Sequence, residues 1–275
     1  MSRYLSYTGM SVYNDCPLRY KWQYIDQKKP EDPENKAGTV YGSVMGRMLE
    51  RFYNQEMWRN TSTVVQTLLN FVDKDVAQVE FKNKDIDYPK AKLDRNQVIA
   101  DINSHIPEMV RTIQRNSLLG MYAKSEVKMS ITSEIDGCGE WEITGKADLI
   151  YTQKGKTFIL DGKGSPKREK YTDPDQLLSY ALLYCNLHGV PPDGLGWVFF
   201  RFTGDDSLLW LDFTMDSILL FKSRLYNTIR SIHSGKFDPT PSVNTCRMCQ
   251  YTDCSARLCA KKVVNTFSSS GAIDL

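Results

Sequence analysis

The sequence predicts an α/β protein in which a mixed sheet is flanked by helices, with a helical N-terminal region and a C-terminal cysteine cluster. In the first 118 residues, apolar side chains recur at three-and-four spacing, which is typical of amphipathic helices. Beyond residue 118, short runs rich in β-branched and aromatic residues surround a single helical stretch. Four of the seven cysteines then fall between residues 246 and 259.

Each predicted element follows from its own pattern. Helices of the N-terminal region are predicted at residues 43–58, 62–76 and 96–116. Strands are predicted at residues 122–132, 139–151, 156–163, 196–202 and 207–213. Two further helices are predicted at residues 173–189 and 215–235. The predicted segments are a helical region with Cys16 at 1–118, an α/β core at 119–235, a cysteine segment at 236–264 and a flexible tail at 265–275.

The composition is that of a globular protein, with 41% hydrophobic and 25% charged residues among 275. No run of about 18 apolar residues occurs, and the N-terminus has no apolar stretch typical of a secretory signal. We therefore expect an intracellular protein without membrane contact, in the cytoplasm of a prokaryote or a phage-infected cell. In that setting the cysteines are metal ligands or buried thiols rather than disulfides.

The predicted hairpin between residues 139 and 163 brings two aspartates together. Lys154-Gly155 fits a two-residue turn, because glycine tolerates the positive φ that such turns require. In that register Asp148 lies directly opposite Asp161. Lys163 follows Asp161 by two positions, so the period of two in a strand places both on the same side. Three charged groups therefore converge on one spot of the sheet.

This convergence has two interpretations. Two adjacent carboxylates repel each other unless a cation lies between them, and Mg²⁺ or Mn²⁺ suits oxygen ligands. A neighbouring lysine can then hold an attacking water or offset charge on a phosphoryl oxygen. Alternatively, the Asp-Gly pair is an ordinary turn, and Asp148 caps a strand or pairs with Lys146 or Lys163.

The segment after the hairpin favours the first interpretation. Residues 164–170 form a basic loop in which the nearest phosphate contacts would be Lys167, Arg168 and Lys170, although a solvated loop is the alternative for each. The helix predicted at 173–189 then carries Gln176 and Tyr180 one turn apart on one face.

These motifs resemble the RecB-type branch of the PD-(D/E)XK nucleases, in particular its iron–sulfur members, which include the AddB nuclease domain and the Cas-type exonucleases of CRISPR adaptation. The similar segments span most of the chain and are SYTGMSVYNDCPLRYKWQYI, GSVMGRMLERF, ITGKADLI, ILDGKGS, QLLSY and TCRMCQYTDC. The resemblance implies a restriction-endonuclease-like core and a metal-dependent DNA exonuclease. Its substrate would be single-stranded DNA or DNA ends in replication, recombination or repair, with a helicase or recombination partner.

The resemblance also implies roles for individual residues. Asp148 and Asp161 match the metal-binding aspartates, and the carbonyl of Gly162 joins them as a ligand. Lys163 matches the catalytic lysine. The motif that positions the DNA strand is matched by Gln176 and Tyr180.

The chain departs from the family pattern at one metal-ligand position and in the spacing of its cysteines. The family has a metal-binding histidine four residues after the glycine that corresponds to Gly42, whereas this chain has Gly46 there. Glu50, one turn further along, is either a substitute ligand or an ordinary surface residue. The missing histidine also allows a second class of function, a catalytically weak or inactive module that binds DNA or a partner.

Cysteines from both ends of the chain match the ligands of a [4Fe–4S] cluster, namely Cys16, Cys246, Cys249 and a later cysteine. The interval to Cys254 is one residue shorter than is common in relatives, so Cys259 is the alternative fourth ligand. Four thiolates suit either such a cluster or a structural Zn²⁺. The distribution over both ends favours the cluster, and a small zinc-stabilised adaptor is the rival interpretation. The other two cysteines, Cys138 and Cys185, are expected to be buried thiols.

Overall fold

The computed structural model describes residues 3–31, 35–59, 62–83, 86–116, 118, 123–165, 167–170, 172–247 and 249–257. The chain divides into two compact units. The terminal unit comprises Met1–Glu34, Thr132–Ile143 and Ser223–Leu275. The central unit comprises Asn35–Ile131 and Thr144–Lys222.

The fold is a mixed sheet flanked by helices. The α-helices are α1 (Tyr7–Asp15), α2 (Pro17–Tyr20), α3 (Val40–Asn54), α4 (Val64–Leu69), α5 (Val72–Lys82), α6 (Arg95–Arg115), α7 (Pro174–His188), α8 (Met215–His233) and α9 (Val243–Arg247). The strands are β1 (Tyr4–Ser6), β2 (Lys124–Ile135), β3 (Gly139–Gln153), β4 (Lys156–Lys163), β5 (Gly194–Phe199) and β6 (Leu208–Leu211). Within the described residues, no helix has the length and apolar character needed to cross a membrane.

The predicted helices of the N-terminal region are confirmed with one correction. The pattern at 62–76 predicts a helix, but the chain forms α4 and α5 with a break at Asn70 and Phe71. The amide of Phe71 donates to the carbonyl of Leu68 at 3.0 Å, a three-residue spacing that closes a turn. Asparagine competes with helical hydrogen bonding, which explains the break. Strand β1 was not predicted, because three residues are too few to show a period.

The β3–β4 hairpin has the predicted register. Leu149 lies opposite Leu160 and Gln153 opposite Lys156, in an antiparallel pair. Both turn residues, Lys154 and Gly155, have positive φ, at 51° and 76°. Such a two-residue turn matches the right-handed twist of the flanking strands. The register that places Asp148 opposite Asp161 is therefore confirmed.

The other strand pairs make the sheet mixed. The strand order is β1-β3-β4-β5-β6, and β2 also pairs with β3. Strand β5 runs parallel to β4, because α7 carries the chain back between them, and β6 runs antiparallel to β5. Helices α3 to α6 share a hydrophobic core with sheet residues that include Leu149, Leu160 and Val198. By the alternation of strand side chains, Asp148 and Asp161 lie on the face opposite to these leucines.

In the terminal unit, segments from the two ends of the chain pack together. The hydroxyl of Tyr13 donates to the carbonyl of Lys236 at 2.6 Å, and Thr240 Oγ1 donates to the carbonyl of Asp15 at 2.8 Å. Lys28 Nζ lies 2.5 Å from Asp253 Oδ2. These contacts hold the backbone around Cys16 beside the segment that carries the C-terminal cysteines.

Candidate functional site

The β3–β4 hairpin positions two carboxylates beside a glycine. Asp161 is only 2% exposed, and Asp148 is half-buried. The amide of Gly162 donates to Asp148 Oδ2 at 2.7 Å. A Cβ atom on Gly162 would lie 2.7 Å from the ring of Phe200 and 3.4 Å from Asp148 Oδ2. Glycine is therefore required here for the close approach of strand, ring and carboxylate.

Lys163 and two residues of α7 complete a hydrogen-bonded group. Lys163 Nζ lies 2.6 Å from Asp161 Oδ2 and donates to Gln176 Oε1 at 2.7 Å. Gln176 Nε2 donates to Asp161 Oδ1 at 2.7 Å and to the hydroxyl of Tyr180 at 3.0 Å. The lysine is thus held between a buried carboxylate and an amide, with little freedom to move.

Local sequence fixes the start of α7. The carboxylate of Asp173 accepts from the amide of Asp175 at 2.9 Å and caps the helix, and Pro174 occupies its first turn. Gln176 and Tyr180 then follow one turn apart and share a face. The sequence Asp173-Pro174-Asp175 therefore fixes the first turn of α7, and with it the position from which Gln176 contacts Asp161.

The pKa values of both aspartates are raised above the ordinary value for aspartate. Burial, with a further contribution from the charge of Asp161, raises the pKa of Asp148 from 3.8 to about 7. Burial also raises the pKa of Asp161, although the adjacent Lys163 ammonium opposes that rise. Tyr180 has a raised pKa because it is buried and lies near both carboxyls. A positive charge near the two aspartates would favour their ionised forms.

A cleft of ≈ 460 Å³ opens beside these carboxyls. Asp148 and Gly162 line it together with Gly46 and Glu50 of α3. A Cβ atom on Gly46 would meet no atom within 4 Å, so a larger side chain has room there. The structure therefore brings Glu50 into the same cleft as Asp148.

Four further charged residues line the cleft and were not predicted as site residues, namely Arg47, Lys82, Glu126 and Lys146. Glu126 of β2 and Lys146 of β3 line it and form an ion pair with each other. Lys146 precedes Asp148 by two positions, so the period of the strand was a signal for its placement. Glu126 has φ of 56° inside a strand, a conformation that costs a non-glycine residue energy and that no sequence pattern indicated.

The family model of the PD-(D/E)XK nuclease superfamily matches residues 4–254. The chain belongs to this superfamily. Its fold is also similar to that of a protein from Eubacterium rectale described as a candidate exonuclease, at 16% identity and a TM-score of 0.51, covering 98% of this chain and 94% of that one.

Two weaker structural matches accompany it. Protein SSO0001 is 15% identical, with a TM-score of 0.38 and coverage of 91% and 96% of the two chains. Protein VC1899 from Vibrio cholerae is 12% identical, with a TM-score of 0.24 and coverage of 75% and 58%. No match is found among curated proteins.

The two aspartates of this superfamily member fit a divalent cation. In the described part of the chain, no group of three or more histidine, cysteine, aspartate or glutamate side chains is arranged to hold a metal ion. Mg²⁺, however, keeps several waters and binds through one or two carboxylates together with substrate phosphates. Burial and the charge of Asp161 raise the pKa of Asp148, and a divalent cation between the two carboxyls would favour their ionised forms.

The room at Gly46 allows a test of the missing histidine. We expect Gly46→His to tighten Mn²⁺ binding several-fold, because an imidazole would enter the cleft beside Asp148. Glu50→Gln should weaken binding if that carboxylate contributes. Isothermal titration with Mn²⁺ measures both, and Glu56→Gln is the control because Glu56 is exposed and pairs with Arg59. Unchanged affinity in Glu50→Gln would return Glu50 to the role of a surface residue.

The basic loop that follows β4 is only partly available to a ligand. Lys167 is exposed, whereas Arg168 pairs with Asp206 at 2.8 Å and lies over the ring of Phe199. The side chain of Lys170 lies outside the described residues. Arg168 would have to leave its carboxylate partner to contact a phosphate, and the role of the loop in strand binding stays a prediction.

The predicted cysteine ligands do not form a metal-holding group within the described residues. Cys16, Cys246, Cys249 and Cys254 are half-buried free thiols, and Cys259 lies outside the described residues. Burial raises the pKa of Cys249, and the neighbouring Cys16 adds to the rise. Cys16 therefore interacts electrostatically with Cys249 at the other end of the chain, but the described cysteines do not form a group of three or more metal ligands. Cys138 is buried as predicted, and Cys185 is half-buried.

Proposed function

We propose that this superfamily member is a divalent-metal-dependent DNA exonuclease of the RecB type, acting on single strands or DNA ends in replication, recombination or repair. The observation that carries the proposal is the position of Lys163 Nζ, held between Asp161 and Gln176. The contacts with Asp161 and Gln176 hold the ammonium beside the two carboxyls, where the proposed reaction requires a positively charged donor. Membership of a nuclease superfamily makes nucleic acid the substrate.

Each residue of the group has a role in phosphodiester hydrolysis. Asp148, Asp161 and the carbonyl of Gly162 would hold Mg²⁺ or Mn²⁺, with Glu50 as a further ligand. When bound, the cation supplies Lewis-acid stabilisation of the phosphoryl oxygens and lowers the pKa of a water. The ammonium of Lys163 would donate to the attacking water or to a phosphoryl oxygen as charge develops there.

Gln176 and Tyr180 would act on the strand and on the lysine. Gln176 orients Lys163 through its carbonyl and Asp161 through its amide. The hydroxyl of Tyr180 accepts from Gln176, and because the side chain is only 6% exposed, the hydroxyl would have to become accessible to donate to a strand phosphate. In this arrangement the same amide links the catalytic lysine to the helix that would contact DNA.

Cleavage of end-labelled and circular DNA tests the exonuclease proposal. Single strands labelled at the 5′ or the 3′ end should lose label from one end first, in Mg²⁺ or Mn²⁺ and not in EDTA. A covalently closed circular single strand should remain intact, because it offers no end. Cleavage of the circle at the rate of the linear strand would contradict an exonuclease while leaving nuclease activity in place. Binding without any cleavage would favour an inactive module.

We also propose that the cysteines hold a structural [4Fe–4S] cluster, with Zn²⁺ as the alternative. The proposal is supported by the hydrogen bonds that join the segment around Cys16 to the C-terminal segment, and by the electrostatic effect of Cys16 on Cys249. No catalytic step depends on it. Cys16→Ser, Cys246→Ser and Cys249→Ser should each remove iron, bleach visible absorbance and lower Tm, because a closure over so long a loop restricts the unfolded chain.

The fourth ligand is identified by two matched variants. Cys254→Ser should bleach the protein, whereas Cys259→Ser should keep its colour, and Cys138→Ser is the control from a buried site. Iron, sulfide and zinc analysis of protein purified without oxygen measures the outcome. Stoichiometric zinc without iron would contradict the cluster.

A further inference from the structure

A second cavity opens beside the cleft, within the central unit. It has a volume of ≈ 300 Å³ and shares Arg47 and Glu50 with the cleft. Its other lining residues are Arg51, Asn54, Gln55 and Gln78. Every lining side chain except Glu50 carries N–H donors. A cavity of this kind suits an anionic group with several acceptor oxygens.

A buried carboxylate holds the two guanidinium groups in place. Asp75 is 0% exposed, and its oxygens accept from Arg51 Nη2 at 2.6 Å and Arg51 Nε at 3.2 Å. The Arg51 guanidinium also lies 4.2 Å from the ring centroid of Phe71. Arg47 Nη1 donates mainly to Gln78 Oε1, at 2.6 Å, and lies 3.4 Å from Asp75 Oδ1. These contacts fix both planar groups before any ligand arrives.

The guanidinium pair and Asp75 together have a formal charge of +1, which Glu50 at the border of the cavity balances, so the cavity suits an anion through its N–H donors rather than through net charge. Two guanidinium groups face one buried carboxylate, and their side chains are 23% and 20% exposed, so solvent reaches them. Arg47 uses Nη1 in its described contacts, and its remaining N–H groups match the geometry of phosphate oxygens.

We propose that Arg47, Arg51 and Gln55 form a subsite for a phosphate group of the nucleic acid strand that lies in the cleft. The subsite rests on the proposed nuclease function, because the shared Arg47 and Glu50 make the cavity a continuation of the catalytic cleft. The ligand is either a terminal phosphate monoester or a phosphodiester one or a few nucleotides from the cleaved bond. Both present the same oxygens to the guanidinium pair.

Two variants test the subsite without removing the main partner of Asp75. Arg47→Gln leaves the bidentate Arg51 contact in place, and Gln55→Glu adds a carboxylate to the cavity at an exposed position. Arg111→Gln on α6 and Gln66→Glu on α4 are the matched controls, since both residues are exposed and neither lines the cavity. Thermal melts of all four variants confirm that they fold.

Binding is measured by fluorescence anisotropy on three single-stranded oligonucleotides with a 5′-phosphate, a 3′-phosphate or no terminal phosphate. Each variant is combined with Lys163→Met and measured in Mg²⁺, so that the DNA is not cleaved during the measurement. The same series is then measured with Lys163 intact in EDTA. Each cavity variant should raise Kd about tenfold. Arg47→Gln should also reduce the slope of log K against log salt by about 1, as expected for one lost phosphate contact.

The pattern over the oligonucleotides separates the two sources of phosphate. Loss of affinity confined to one phosphorylated end assigns the cavity to a terminal phosphate, and equal loss on all three assigns it to an internal phosphodiester. Wild-type affinity and salt slope in both cavity variants would overturn the subsite, even if the enzyme cleaves DNA. Weakened binding in an enzyme that never cleaves would overturn the nuclease proposal and keep the subsite.

Discussion

Lys163→Met is expected to slow metal-dependent DNA cleavage at least about 100-fold while DNA binding persists. The ammonium lies 2.6 Å from Asp161 Oδ2 and is held by Gln176, so methionine removes the charge and the donor but keeps similar volume. Loss of one donor aimed at a transition-state oxyanion costs about 10² to 10³ in rate. Asp161→Asn should have at least as large an effect, because it also removes a metal ligand.

Lys156→Met is the matched control for this prediction. Lys156 lies in the same strand but is exposed, opposite Gln153 at the turn end of the hairpin. Cleavage rates under single-turnover conditions and binding by anisotropy separate loss of chemistry from loss of affinity. Cleavage by Lys163→Met within tenfold of the wild-type rate would remove Lys163 from the catalytic group.

Asp148→Asn is expected to stabilise the metal-free protein while it abolishes cleavage. Burial and repulsion by Asp161 raise the pKa of Asp148 to about 7, so its ionised form is unfavourable in the folded protein. Asparagine removes the charge and keeps an oxygen that accepts from the amide of Gly162. At pH 8 in EDTA we expect about 2 kcal/mol more unfolding free energy, or a Tm higher by roughly 4 to 8 °C.

The direction of the pH dependence follows from the raised pKa. The folded protein binds the Asp148 proton more tightly than the unfolded chain, in which the pKa is near 3.8. Stability is therefore lost as pH rises from about 4 through 7, and the advantage of Asp148→Asn should fade at pH 5. Mg²⁺ should stabilise the wild type more than the variant. Asp136→Asn, at an exposed turn, is the control, and parallel pH curves for wild type and Asp148→Asn would contradict the prediction.

The parts of the site that were predictable from the sequence are those fixed by local chemistry. Lys154-Gly155 determines the turn, the turn determines the register, and the register places Asp148 opposite Asp161. The strand period then adds Lys163. The fold class was predicted in the same way, because the apolar residues of each long helix or strand repeat with the spacing typical of that element.

The remaining parts depend on contacts between distant segments. Glu126 lies in β2, which is joined to β3 by more than two residues, so no two-residue turn predicts how the two strands pair. No sequence pattern predicts the positive φ of Glu126 either. Arg168 was predicted to contact a DNA phosphate, but its guanidinium pairs with Asp206, which lies 38 residues further along the chain. The arginine cavity likewise needs α3 and α5 to meet around Asp75.

Product release from an end-labelled single strand is the direct measure of the metal-dependent DNA hydrolysis proposed for this protein. Wild-type protein should release short products in Mg²⁺ or Mn²⁺, release none in EDTA, and recover when the metal is restored. Asp148→Asn and Lys163→Met, prepared in parallel, should release product at least about 100-fold more slowly in Mg²⁺ or Mn²⁺ and none in EDTA. Equal product release by wild type and both variants, or release that persists in EDTA, would contradict the assignment of Asp148, Asp161 and Lys163 as the catalytic group.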